Sequence, residues 1–126
     1  MDFMGKIMVG LFIGPIILLL SGLLLLLFPP KNRNYIYGYL TRLSSKTQQT
    51  WDFANKLAAK LLVGMGSVSL VLAIIALGAI AKLPNNLLER AYSIAVPLSA
   101  VVFLLLLLML VFIVQVKLKK MFKLSK

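Results

Sequence analysis

The 126-residue chain has no cysteine and no histidine, and only three of its residues are acidic. Without cysteine there is no disulfide, no thiol nucleophile and no lipid-bearing cysteine. Without histidine, and with carboxylates so sparse, the side chains that hold zinc and related metals are missing, so no metal site is expected. A catalytic base and nucleophile are equally hard to assemble, because Asp52 is the one acid in the long polar segment. There is no glycine-rich phosphate loop either. These absences point away from enzymes: no catalytic residue and no cofactor is expected.

What the chain does have is apolar length. It is 61% hydrophobic, more than a soluble domain this small can hide. Residues 7–30, 61–81 and 91–116 carry no charge. At about 1.5 Å per residue, roughly 20 helical residues cross a hydrocarbon core of about 30 Å, and each run reaches that length. The reading is an all-α integral membrane protein forming a single membrane domain, with transmembrane helices at about 7–28, 61–81 and 92–116. No ionisable residue lies within these runs, which excludes the usual proton relay or ion-coupled transporter.

The first run is read as a retained helix, since it is too long for a signal-peptide core and no small-residue cleavage site follows. Gly10 and Gly14 form a GxxxG pair, but glycine is common in membrane helices and a lone pair is read as background. Pro15 and Pro97 should kink their helices. The second run is dense in small residues, among them Gly64, Gly66, Ser67, Ser69, Gly78 and Ala79, which suits a helix at the centre of a bundle. Gln115, near the end of the third run, reads as an interfacial amide without a mechanistic part.

Between the first two runs lies the polar segment 29–60. Pro29-Pro30 stop the first helix, and a basic turn follows. Tyr35, Tyr37 and Tyr39 alternate with apolar or small residues, either as an interfacial belt or as a binding surface. From Ser44 to Lys60 the pattern is helical, with Ser45 and Gln48 fitting a capping box. Trp51, Ala54, Leu57, Ala58, Leu61 and Leu62 fall on one face. Gln49, Asp52, Lys56 and Lys60 fall on the other, with Asp52 and Lys56 spaced as an i,i+4 pair. This predicts a cytoplasmic amphipathic helix that leads into the second span and bends around Gly64 and Gly66.

The formal net charge is +11. Here the cations flank membrane spans, so nucleic acid is not the expected partner. The lipid bilayer is, with anionic headgroups under the basic tail 117–126. Six Lys and Arg residues in segment 29–60 and five lysines in the tail make eleven on one side, against Lys6, Lys82 and Arg90 on the other. The positive-inside rule therefore puts the polar segment and C-terminus in the cytoplasm and the N-terminus outside.

The polar segment also carries a pattern. Pro29-Pro30-Lys31, Asn34, Tyr37-Gly38-Tyr39, Thr41, Ser44 or Ser45, Trp51 and Ala54-Asn55 resemble the SdpI family of bacterial membrane proteins. In that family a PPK…N…YGYRT…S stretch is followed by W..AN opening into an apolar helix. The resemblance covers about residues 29–62. The family arginine in GYRT is Leu40 here, and an arginine stands instead at Arg42. The founding immunity protein has additional N-terminal spans, whereas this sequence supplies a three-span unit. The resemblance implies resistance to a secreted, membrane-active peptide toxin at the bacterial cytoplasmic membrane. It implies as partner either a toxin peptide or a cytoplasmic regulator, with a homo-oligomer compatible with both. By matching positions, the residues implied to bind a partner or organise the loop are Asn34, Tyr37, Gly38, Tyr39, Thr41, Arg42, Trp51 and Asn55. A loop partner for Asn55 is expected, either Thr41 or the Tyr37 backbone, because a buried amide needs one. Two other readings fit three spans: an accessory subunit of a larger transport or envelope complex, and a holin-like pore former.

Overall fold

Apolar runs of this length can satisfy their own backbone groups in lipid only as helices. The computed structural model is all-helical over the residues it describes, 2–33 and 37–122. The helices are α1 (Phe3–Leu27), α2 (Gln48–Ile80) and α3 (Asn85–Phe122). All three are long and apolar enough to cross a membrane. They run up, down and up, so the end of α1, the start of α2 and the end of α3 share one end of the bundle.

Each helix extends beyond its uncharged run. Asp2 caps α1, its side chain accepting from Gly5 N at 2.8 Å. The connector between α2 and α3 is only 81–84. Residues 85–90, which lie between the second and third expected spans, are the first turns of α3, where Leu87 N donates to the Pro84 carbonyl. Lys117, Lys119 and Lys120 are likewise helical rather than part of a loose tail, and Leu118 between them is fully buried. Lys123 and Lys126 lie outside the described residues. α2 is one α-helix of 33 residues, unbroken through Gly64 and Gly66. At about 1.5 Å per residue it is close to 50 Å long, so its first turns stand beyond a core of about 30 Å.

The start of α2 corrects the expected capping box. The N-cap is Thr47, not Ser45, and the box is closed by Thr50: Thr50 N donates to Thr47 Oγ1 and Thr47 N to Thr50 Oγ1, both at 3.0 Å. Asp52 accepts from Gln48 Nε2 at 2.8 Å, one turn back, and makes no ion pair with Lys56. On the expected apolar face Leu57 and Leu61 are only half-buried. Trp51, Ala54, Ala58 and Leu62 are buried, while Gln49, Asp52, Lys56 and Lys60 are exposed.

All three helices pack against one another, and the most extensive interface is that between α1 and α2. A Cβ added at Gly22 would lie 2.6 Å from Val63 N, and one at Gly66 would lie 2.6 Å from Leu19 N. Here α1 and α2 meet backbone to backbone. The GxxxG pair is used too: a Cβ at Gly10 would meet the Val96 side chain at 2.5 Å, and one at Gly14 would meet Phe103 at 3.0 Å. Gly64 and Gly78, by contrast, have open space around them. At the loop-distal end Phe3 and Tyr92 pack with ring centroids 5.8 Å apart, with Lys6 Nζ 5.3 Å from the Phe3 ring.

The two central glycines of α2 should therefore behave oppositely. Gly66→Ala is expected to destabilise the bundle by about 1–3 kcal/mol, because the neighbour it strikes is backbone. Gly64→Ala should be neutral. Thermal unfolding in mild detergent, followed by helical circular dichroism, distinguishes the two.

Candidate functional site

At the shared end of the bundle the polar segment folds back over the helix ends. It is held by side chains chosen almost entirely from the uncommon residues of the sequence. Trp51, fully buried on the first turn of α2, donates Nε1–H to the Pro30 carbonyl at 2.6 Å. One turn on, Asn55 is only 4% exposed and uses both ends of its amide. Nδ2 donates to the Trp51 carbonyl at 3.0 Å, and Oδ1 accepts from Tyr39 N at 2.5 Å. The loop partner of Asn55 is thus the Tyr39 backbone N–H rather than Thr41 or Tyr37.

That approach explains Gly38. Its φ is +110°, a region L side chains rarely adopt. An added Cβ would also meet Asn55 Oδ1 at 2.5 Å and Pro30 Cγ at 2.7 Å. On either side of Gly38 the two tyrosines diverge. The Tyr37 hydroxyl donates between the carbonyls of Phe28 (2.5 Å) and Leu24 (3.0 Å) at the end of α1; the Leu24 carbonyl already accepts from Phe28 N. Tyr39 donates to Gln115 Oε1 of α3 at 3.0 Å, and Thr41 Oγ1 donates to the same oxygen at 3.2 Å. Burial pushes the Tyr39 phenol up to about 12, a rise that the Thr41 hydroxyl only partly offsets.

A tight turn follows. The Ser44 hydroxyl is fully buried among the Tyr39 carbonyl (3.0 Å), the Thr41 carbonyl (2.9 Å) and Thr41 N, which donates to it at 3.0 Å. Of the two candidate serines in the sequence pattern, Ser44 is the one inside the network. Ser45 and Lys46 instead offer their carbonyls to Arg33 Nη1, at 3.2 and 3.0 Å. Gln48 ties the start of α2 to the Lys31 carbonyl at 2.5 Å.

Of the residues the sequence singles out, Tyr37, Gly38, Tyr39, Thr41, Trp51 and Asn55 are therefore brought together. Arg42 is not in the network. It is exposed, with no bonded partner among the described residues. Asn34 lies outside the described residues. Gln115, Arg33 and Gln48 belong to the network without being among the residues the pattern singles out, and Ser44 is there only as an alternative to Ser45. Gln115 is the notable one, since it is the α3 terminus of the network. Its signal was present, as the one amide near the end of the third run, but a terminal amide reads equally well as an interfacial one.

A model described as the SdpI/YfhL protein family matches residues 31–116. The chain belongs to this family. The match spans the loop, all of α2 and most of α3, so the network lies within it apart from the end of α1 and Pro30. The chain is also similar to the uncharacterized protein YfhL of Bacillus subtilis (strain 168), with 43% identity over 61 residues. That alignment covers 48% of this chain and 54% of the relative, so the chain spans about half the relative's length. No solved structure matches. In this SdpI/YfhL chain Leu40 is exposed like Arg42, whereas Tyr39 and Thr41 between and beside them are half-buried. Positions 40 and 42 thus face outward together.

Two outcomes follow. Asn55→Ala leaves the Tyr39 N–H without its acceptor and is expected to cost about 1–3 kcal/mol, with a shift in the emission of Trp51, the chain's single tryptophan. The raised phenol of Tyr39 favours the folded state while it is protonated. Its contribution is complete below the ordinary value of 10.0 and is lost as pH rises through about 12. The near-ultraviolet difference titration of wild type against Tyr39→Phe should show a phenolate appearing at that upper value, together with release of the loop from α3.

Proposed function

We propose that this multi-pass membrane protein confers resistance to a membrane-active peptide toxin, without catalysis, at the bacterial cytoplasmic membrane. One observation carries the reading beyond family membership. The residues shared with the family pattern hold one loop across all three helices, while the Arg42 and Leu40 side chains face outward with no hydrogen bond among the described residues. A loop fixed at this cost in polar groups, with an arginine presented beyond it, is built to offer a defined surface. The charge distribution supports placing that surface in the cytoplasm with the N-terminus outside. On that topology the loop does not meet an extracellular peptide directly. Either the toxin is met within the bilayer, or the loop reports to a cytoplasmic regulator. Arg42 is proposed on the partner-facing side, and Tyr37, Gly38, Tyr39, Thr41, Trp51 and Asn55 as the residues that organise it.

The test is survival of a sensitive bacterium challenged with an SdpC-type toxin peptide while expressing this protein or its variants. Arg42→Ala removes no bond of the fold, so its abundance in the membrane should equal that of the wild type while protection falls about tenfold or more. Asn55→Ala should lose protection together with abundance. Full protection by Arg42→Ala would remove the outward arginine from the function. No protection by the wild type, in cells that express it harmlessly, would remove resistance to that toxin and favour an accessory subunit of a larger membrane complex.

A further inference from the structure

Directly beneath the loop is a groove of about 520 Å³, within the roughly 300–1,000 Å³ range of small-molecule sites. Its roof is Tyr37-Gly38-Tyr39, and its walls come from all three helices, with Leu18 and Ser21 of α1, Leu62 of α2 and Leu110 of α3 among them. It is a groove rather than a closed cavity. Leu24 and Val111 on its rim are exposed on the surface that a bilayer would cover. The roof is held in place, since both tyrosine hydroxyls are bonded to helix ends. The medium that reaches a slot at this depth is lipid, and the slot is open to it from the side.

Charge decides which lipid. Lys31 follows the wall residue Leu25 by six positions. Lys117 follows the wall residue Val111 by six, about 9 Å further along α3. Lys119, Lys120, Arg33 and Arg42 stand at the same end of the bundle. The one carboxylate on that side, Asp52, is already bonded to Gln48. An apolar slot under a collar of cations, with a roof of tyrosines at the level where headgroups begin, has the polarity profile of a single anionic lipid.

We propose that the groove seats an acyl chain of an anionic phospholipid whose headgroup is held by the cationic collar around Lys31, Arg42 and the lysines of α3. This inference does not rest on the resistance reading. A protein that binds no toxin would still hold the lipid.

The probe is native mass spectrometry of the full chain released from vesicles of equimolar phosphatidylglycerol and phosphatidylcholine with matched acyl chains. Wild type should retain phosphatidylglycerol over phosphatidylcholine by about fivefold or more, the preference a single surface cation confers. Ser21→Phe fills the groove without removing a hydrogen bond, because the Ser21 hydroxyl makes none among the described residues. Val111→Trp fills it from the exposed rim of α3, where folding tolerates bulk. Both should lower bound lipid about tenfold, with helical content and Trp51 emission unchanged. Replacing Lys31, Arg42, Lys117, Lys119 and Lys120 by glutamine should erase the headgroup preference while lipid remains bound. Phosphatidylglycerol retained at wild-type levels by either folded filling variant overturns the proposal, as does equal retention of the two lipids by wild type or a dimer in place of a lipid adduct. If the filled variants keep their lipid yet lose protection, the groove belongs to the peptide instead.

Discussion

The contact on which this architecture turns is the bond from Tyr39 N to Asn55 Oδ1. Asn55 sits on the buried face of α2, where water cannot reach its amide, and a buried amide without partners costs free energy that a small bundle can ill spare. Its donor end is satisfied locally by the Trp51 carbonyl. Its acceptor end needs an N–H from elsewhere, and the returning loop supplies it. Once Tyr39 N is fixed at that point, Gly38 has no room for a Cβ. Tyr37 and Tyr39 are then thrown to opposite sides, one to the last carbonyls of α1 and the other to Gln115 of α3. One buried amide thereby sets the position of three helix ends.

That directional constraint matters because the spans have little else to specify their arrangement. Lipid tails are as apolar as leucine, so burial alone does not choose one helix pairing over another. Within the membrane the choice falls to close approach at Gly10, Gly14, Gly22 and Gly66, with the Ser99 hydroxyl reaching from α3 to the Gly10 carbonyl at 3.0 Å. At the loop-distal end there is an aromatic pair with a lysine over it. Only at the loop end do several hydrogen bonds converge, and they arise from the segment in which the sequence concentrates its tyrosines, its tryptophan and Asn55.

The class of fold was legible because uncharged length in a chain this small has one physical solution. The loop residues were legible as a group because their side chains are costly to bury and so are kept only where they are bonded. What could not be read was which face of a helix another helix covers. Gly64 and Gly66 look alike in sequence, yet one faces open space and the other the backbone of α1. Composition therefore points to α2 as a packed helix, which it is, but not to which of its glycines face α1. Ser45-x-x-Gln48 and Thr47-x-x-Thr50 both satisfy a capping pattern. The register was decided by Thr50 Oγ1, which can also reach the Ser44 carbonyl at 3.1 Å and so joins the helix start to the turn before it. Gln115 was undervalued because its partners lie more than seventy residues away.

The arginine that the resembled pattern carries at position 40, and that this chain carries at Arg42, has a simple reading in this geometry. Tyr39 and Thr41 both reach Gln115, which turns their side chains to the bundle and leaves positions 40 and 42 pointing away from it. Neither outward position contributes a hydrogen bond to the network, so a cation can move between them without disturbing Asn55, Gly38 or the tyrosines. The same substitution at 39 or 41 would place a guanidinium against a half-buried amide already taken by two hydroxyls, where desolvation would oppose it. The segment thus separates two roles along alternate residues: inward positions that cannot change without loosening three helices, and outward positions free to be matched to whatever the loop faces.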